Sequence, residues 1–358
     1  NLPVALAAFE EPSASPSPEA YRARLEELGV DPDDLLPPLD TVEPPPEPAE
    51  ARSLLRLVAI VRHRLGKGFS GLDLTGAPYR GLDLRGADFR GATLTDADLS
   101  DAELDGGLFD GAVLDRARLT RARAREASFR EAELSEVIAE DARFDRSFFD
   151  GATGSDASFP RASYYQCSLA AVELEAATLV RCDLRQTRLD GADLTGADVS
   201  EAGFVASSMI DTSLEGVVGR GAVFDRCRMP DLRASDGAIL EGARFVLADA
   251  PRAQLQGTRL TGADFSGANL EEADLSDAGV ARSNFSRAHA AGAKLDRADL
   301  REANLVAAGF FEASFAEARL SNADARGAHL FSANLYRAEM HGTSLRGADL
   351  RRTLREPG

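Results

Sequence analysis

Three cysteines, four histidines and a surplus of carboxylates are the residues of this chain that could do chemistry. A reactive thiol needs an electropositive, accessible setting. A transition-metal site needs several His, Cys or carboxylate ligands converging at about 2 Å. Paired carboxylates could work as general acid and base. The usual frames for such chemistry are missing, however. The sequence has no G-x-S-x-G elbow, no G-x-x-x-x-G-K-[ST] phosphate loop and no H-E-x-x-H. Gly66-Lys67-Gly68 is a fragment of a glycine-rich loop and reads as a hinge. Neither catalysis nor a cofactor or metal is expected.

What positions these residues is a repeat. From Phe69 an apolar residue returns every five positions, through Leu74, Tyr79, Leu84 and Phe89 as far as Ala234. The series then slips by one, resumes at Leu240 and ends at Leu350. Of 57 units, 42 have Leu or Phe at the central position and 39 have Ala two places earlier. A period of five fits neither a helix at 3.6 nor a flat strand at 2. The backbone must turn a corner in every unit, with the large residue at the axis, the small one where the wall is crowded, and three places outward. Each coil then buries its apolar edge only by stacking on the next.

Gly-Ala-Asp-Phe at 86–89, Asp-Ala-Asp-Leu at 96–99, Gly-Ala-Asp-Leu at 191–194 and Gly-Ala-Asn-Leu at 267–270 resemble the A-(D/N)-L-x-x consensus of the pentapeptide repeat family. The resemblance runs from 69 to 350. It implies an all-β fold, a right-handed quadrilateral parallel β-helix with four units per coil. About fourteen coils at roughly 4.8 Å make a solenoid about 65–70 Å long. In that frame Cys167, Cys182 and Cys227 all take the Ala position and read as buried fillers. Cys167 and Cys227 are three coils apart, about 14 Å, too far for a disulfide. His289 and His329 share a face two coils apart, about 10 Å. His63 belongs to a helix and His341 follows a central position. The Asp before each central residue reads as a solvated edge. Gly154 and Gly219 take central positions and are expected to thin the core, and the extra residue at Ser235–Gly237 reads as a bulge or tight corner.

Residues 1–48 read as a Pro-rich linker with short helices at 18–28 and 31–36. Residues 49–68 carry a helix whose Leu54, Val58, Val61 and Leu65 form an apolar stripe, with Leu57 beside it. A cap over the first coil is expected. Because Arg52, Arg56, Arg62 and Arg64 make the helix basic, a membrane-surface or partner-binding helix is the alternative. The β-helix occupies 69–358, and no helix follows Leu350 to cover its far end. That end is left to the tail, to a partner, or to a second copy in a homodimer. The order of segments is similar to the C-terminal part of type VI secretion-associated adaptor proteins that carry pentapeptide repeats.

The chain holds 59 Asp and Glu against 41 Lys and Arg, a net charge of −18, which argues against direct nucleic-acid binding. No apolar run reaches the ~18–20 residues of a membrane span. A positively charged leader is not seen either, so a cytoplasmic bacterial location is expected, with association to a secretion apparatus as the variant. Charge is uneven around the rod. The face built on Leu74, Leu94, Leu114, Leu134, Gly154, Leu174, Leu194 and Leu214 carries −10, against about −4, 0 and +2 for the others. Asp73, Asp96, Glu133, Glu136, Asp156, Glu173, Glu175, Asp193 and Glu215 supply it. Such a stripe either attracts a basic surface or simply keeps the rod soluble. Near the other end Phe311 and Phe331 should stack outward, with Tyr336 around the corner, as a second contact site.

The expected function is a non-enzymatic protein-binding scaffold or adaptor, linked to type VI secretion or effector loading. The alternative that the resemblance implies is a DNA-mimicking inhibitor or protector of DNA gyrase. Duplex DNA of this length carries about 40 charges at one per ~1.7 Å. Residues 67–358 carry −12, and the C-terminal dimerising helix of such inhibitors is not visible.

Overall fold

The structure is a computed structural model that describes residues 48–235 and 237–354. Of the linker and short helices assigned to residues 1–48, all but Pro48 lie outside the described residues.

The corner that the sequence demands is a hydrogen-bonded turn. In nearly every described unit the carbonyl of the central residue accepts from the N–H three residues on, as Leu74 O does from Ala77 N at 3.0 Å. The last residue of every described unit has positive φ, +59° at Asp96 and +57° at Leu247. A left-handed residue there is what a type II turn requires, and it suits glycine best. Non-glycine residues bear a cost of about 1–2 kcal/mol. Bonds to the next coil help offset it, as Asp96 N donates to Asp115 O at 2.9 Å.

Between turns only three residues run straight, so each wall has one bridging residue per unit. Asp73 bridges Thr93 in parallel, Glu133 bridges Thr153, and Thr153 bridges Glu173. The twenty-residue step places four units in each coil. We number the walls by their first central residues: wall 1 from Phe69, wall 2 from Leu74, wall 3 from Tyr79 and wall 4 from Leu84.

The axis is filled by ladders of like residues. Phe69, Phe89, Phe109, Phe129 and Phe149 stack on wall 1 with ring centroids 4.7–4.9 Å apart. The aromatic ladder then passes to wall 4, where Phe204, Phe224, Phe245, Phe265 and Phe285 stack at 4.7–4.9 Å.

The expected thin spots do not occur. A Cβ at Gly154 would lie 2.9 Å from Leu174 Cδ2, and one at Gly219 would lie 2.8 Å from Leu240 Cδ2. Leucines of the next coil already occupy the space. The slip is absorbed in one corner: bridges lengthen to twenty-one residues from Val218↔Ile239 to Arg233↔Gln254, then return to twenty at Ile239↔Arg259. Gly237 supplies the positive φ there, +81°.

Helix α1 (Pro48–Arg64) lies at the start of the rod. Its Val58 and Ala59 are buried in the same cluster as Phe69, Leu74 and Tyr79, with Leu55 and Ile60 packed against it. The arginines answer a backbone need. First-coil carbonyls have no earlier coil to donate to them. Arg56 Nη1 donates to Arg80 O at 2.5 Å and to Pro78 O at 3.3 Å, and Arg62 Nε donates to Gly68 O at 2.7 Å. These two arginines of the basic helix therefore face the rod.

Candidate binding surface

Among the carboxylates one place before a central residue, the residue two places on makes a difference. Where that residue is Arg, the carboxylate is gripped. Asp83 accepts from Arg85 Nε at 2.8 Å and Nη2 at 2.6 Å. The same fork recurs at Asp88–Arg90, Asp183–Arg185, Asp299–Arg301, Asp324–Arg326 and Asp349–Arg351. The hydrogen bonds from Arg85 and Arg351 hold Asp83 and Asp349 down at about 2. These aspartates are bidentate partners rather than a plain solvated edge, which corrects the expectation. All six lie on walls 1, 3 and 4.

On wall 2, Asp73 and Asp193 have threonine where the fork would need arginine, Glu133 has Ser135 and Glu173 has Glu175. Asp73 accepts from Thr75 N and Oγ1 at 3.0 and 2.6 Å, and Asp193 from Thr195 N and Oγ1 at 2.9 and 2.5 Å. At Asp193 the hydroxyl orders the carboxylate and brings no countercharge. At the ends of the acidic run the charge is answered: Asp96 is paired bidentately with Arg116 at 2.8 and 3.0 Å, and Glu215 lies 3.9 Å from Arg233 Nε. Between them, Glu133, Glu136, Asp156, Glu173 and Glu175 form no ion pair among the described residues. With Asp193 they occupy four successive coils of one wall. Glu173 and Asp193 are bridged neighbours in the ladder. Like charges directly opposite are destabilising there.

The aromatic group is separate. Phe311 and Phe331 stack at 5.6 Å with 3° between planes, and Arg351 and Arg352 lie over Phe331 at 5.5 Å each. Phe311 stays 45% exposed. Tyr336, on wall 2, has Arg337 over its ring at 5.1 Å. Seven coils, about 34 Å, separate Tyr336 from Asp193, so the structure does not unite the acidic and aromatic residues in one surface.

The thiols sit in the wall. Cys167, Cys182 and Cys227 Sγ lie 2.8, 2.9 and 2.7 Å from the carbonyls of Phe144, Phe159 and Phe204 in the preceding coil. Burial pushes all three up to about 12. Serines and threonines at the same position do likewise, as Thr187 Oγ1 donates to Tyr164 O at 2.8 Å. His289 and His329 bridge opposite sides of Gly309. Among the described residues no three His, Cys, Asp or Glu gather to hold a metal ion. No described helix is long and apolar enough to cross a membrane.

The sequence matches the family described as pentapeptide repeats in eight copies, over residues 69–106, 112–151, 167–204, 236–267, 283–310 and 313–352. The chain belongs to the pentapeptide repeat family. Proteins of this family form right-handed β-helices. Among solved structures it is similar to HetL, a pentapeptide repeat protein involved in heterocyst differentiation regulation from the cyanobacterium Nostoc, at 23% identity over 82% of this chain and 94% of that one, with a TM-score of 0.21. It is also similar to trypsin-treated QnrB1, a plasmid-mediated fluoroquinolone resistance protein, at 20% identity over 54% and 86%, with a TM-score of 0.32. The periplasmic alginate epimerase AlgG matches at 10% identity over 76% and 77%, with a TM-score of 0.28. No curated protein matches.

Proposed function

We propose that this pentapeptide repeat protein is a non-enzymatic protein-binding scaffold or adaptor, a rod of about fourteen coils whose wall 2 is read by a basic partner. The observation that carries the reading is the run from Glu133 to Asp193, six carboxylates on four adjacent coils with no ion pair among the described residues. At the forked aspartates, such as Asp83 and Asp88, a partner's Lys or Arg would have to displace an intramolecular guanidinium. Here it meets an open charge on a rigid wall, which favours steering and selectivity. In this reading residues 1–48 are a tether, 49–68 close the rod, and 69–358 present it. The order of segments supports a role in type VI secretion or effector loading. The last described coil leaves Met340, Leu345 and Leu350 only partly buried and Leu354 58% exposed, which supports a second copy closing that end.

A specific observation also favours the DNA-mimic reading. Six charges over four coils of about 4.8 Å amount to one per ~3.2 Å, close to the ~3.4 Å per phosphate along one DNA strand. The likeness is local to these coils, and DNA gyrase is the partner it would predict.

Reversal of Glu133, Glu173 and Glu175 to lysine separates a recognition wall from a solubility device. Partner capture should disappear while the fold persists. Undiminished capture would remove wall 2 from the function. Inhibition of supercoiling by the unaltered rod, absent from the reversed one, would select gyrase over the adaptor.

A further inference from the structure

Wall 4, opposite the acidic wall, carries a groove of about 590 Å³ in its second half. Its lining includes Leu247, Ser266, Gly267, Ser286, Arg287 and Val306. The last residues of successive wall 4 units form a straight row: Arg226, Leu247, Gly267, Arg287 and Ala307. Leu247 is the one large aliphatic among the described positive-φ residues. It is 54% exposed and lies over Gly267, where an added Cβ would come 2.8 Å from Leu247 Cδ2. An exposed leucine in a strained backbone conformation, with the next rung kept bare beneath it, contributes nothing to the rod's own core.

The charges around it have one sign along the row. Arg226 and Arg287 form no ion pair among the described residues, and wall 4 is the +2 face. Asp324 is held by Arg326 at 2.6 Å, and Glu302 stands at the opposite corner of the wall, toward wall 3. Three coils separate Arg226 from Arg287, about 14 Å, which an extended chain covers in about four residues at ~3.4 Å each.

The geometry points to a docking groove for an extended acidic segment of a partner protein, with one bulky aliphatic side chain between two carboxylates four residues apart. The aliphatic group packs on Leu247 over Gly267, the carboxylates meet Arg226 and Arg287, and Glu302 keeps acidic residues off the other rim. This surface is distinct from wall 2 and selects the opposite charge.

The test is fluorescence anisotropy of the intact chain with a labelled synthetic peptide, glycine-spaced, carrying leucine midway between glutamates at positions i and i+4. Saturable binding is expected. It should weaken by about tenfold or more with Arg287→Glu, and also with Leu247→Ser or when the peptide's leucine becomes serine. The lysine reversals on wall 2 should leave it intact, so its failure and that of the wall 2 reading are distinguishable. No saturable binding, equal binding by Arg287→Glu, or equal binding of the serine peptide would each overturn the proposal. So would self-association that Arg287→Glu abolishes in the absence of any peptide binding, because the occupant would then be a second copy.

Discussion

Asp83 and Asp193 hold the same place in their units, one before a central leucine, and their surroundings differ. Asp83 is clasped by Arg85 through both guanidinium arms, and its carboxyl is drawn down to about 2. Asp193 is ordered by Thr195 and meets no arginine. Both are equally compatible with the β-helix, because the turn and the ladder use only backbone. An arginine two places later is one way the carboxylate is spent inside the molecule, and Asp193 lacks it. Walls 1, 3 and 4 repeatedly choose arginine at that place, and the middle of wall 2 does not.

The harshest way to break the comparison is to move a carboxylate one residue inward. Leu194 is fully buried, and Leu194→Asp should cost about 3–5 kcal/mol or more by burying an unpaired charge. An unchanged melting temperature would contradict the assignment of inward and outward positions. Next in size is the reversal of Glu133, Glu173 and Glu175 to lysine, which should eliminate partner binding with thermal stability held or slightly raised, since like-charge contacts are relieved. Thr195→Arg sharpens the comparison by giving wall 2 the motif of wall 4. Binding should fall severalfold, and unfolding free energy should shift by less than about 1 kcal/mol, as for exposed pairs. The smallest effect is on pH dependence. The carboxyls of Asp83 and Asp349 lie lower folded than unfolded, so their contribution is complete above about pH 4. It disappears as pH falls toward about 2. Asp83→Asn and Asp349→Asn should flatten the acid limb of thermal stability measured across that window.

The coil was legible because its physics is written in single residues. Large and small apolar side chains alternate at fixed places, and even the cysteines obey the frame, each lying against a carbonyl as Thr187 does. The stacking of Phe311 on Phe331 followed from the same twenty-residue register. Neutralisation was not legible from net charge, because it depends on partners two or twenty residues away. Asp96 counted toward the acidic face yet is cancelled by Arg116 one coil on, while Glu133 and Glu173 are not cancelled. Gly154 misled because a missing side chain looks like a hole in a sequence, and only packing shows Leu174 already there. The basic residues of α1 suggested an external surface, whereas Arg56 and Arg62 serve carbonyls that the first coil leaves open.

The central claim is that the middle of wall 2 is a recognition surface. Its most direct test is quantitative affinity capture from bacterial lysate with the intact chain and the Glu133, Glu173 and Glu175 lysine reversal side by side, at low and high salt, with gyrase supercoiling assayed on the same preparations. The account predicts a partner held at low salt, released at high salt, and absent from the reversed chain at both. A partner captured equally by the two chains, or one indifferent to salt, would contradict it.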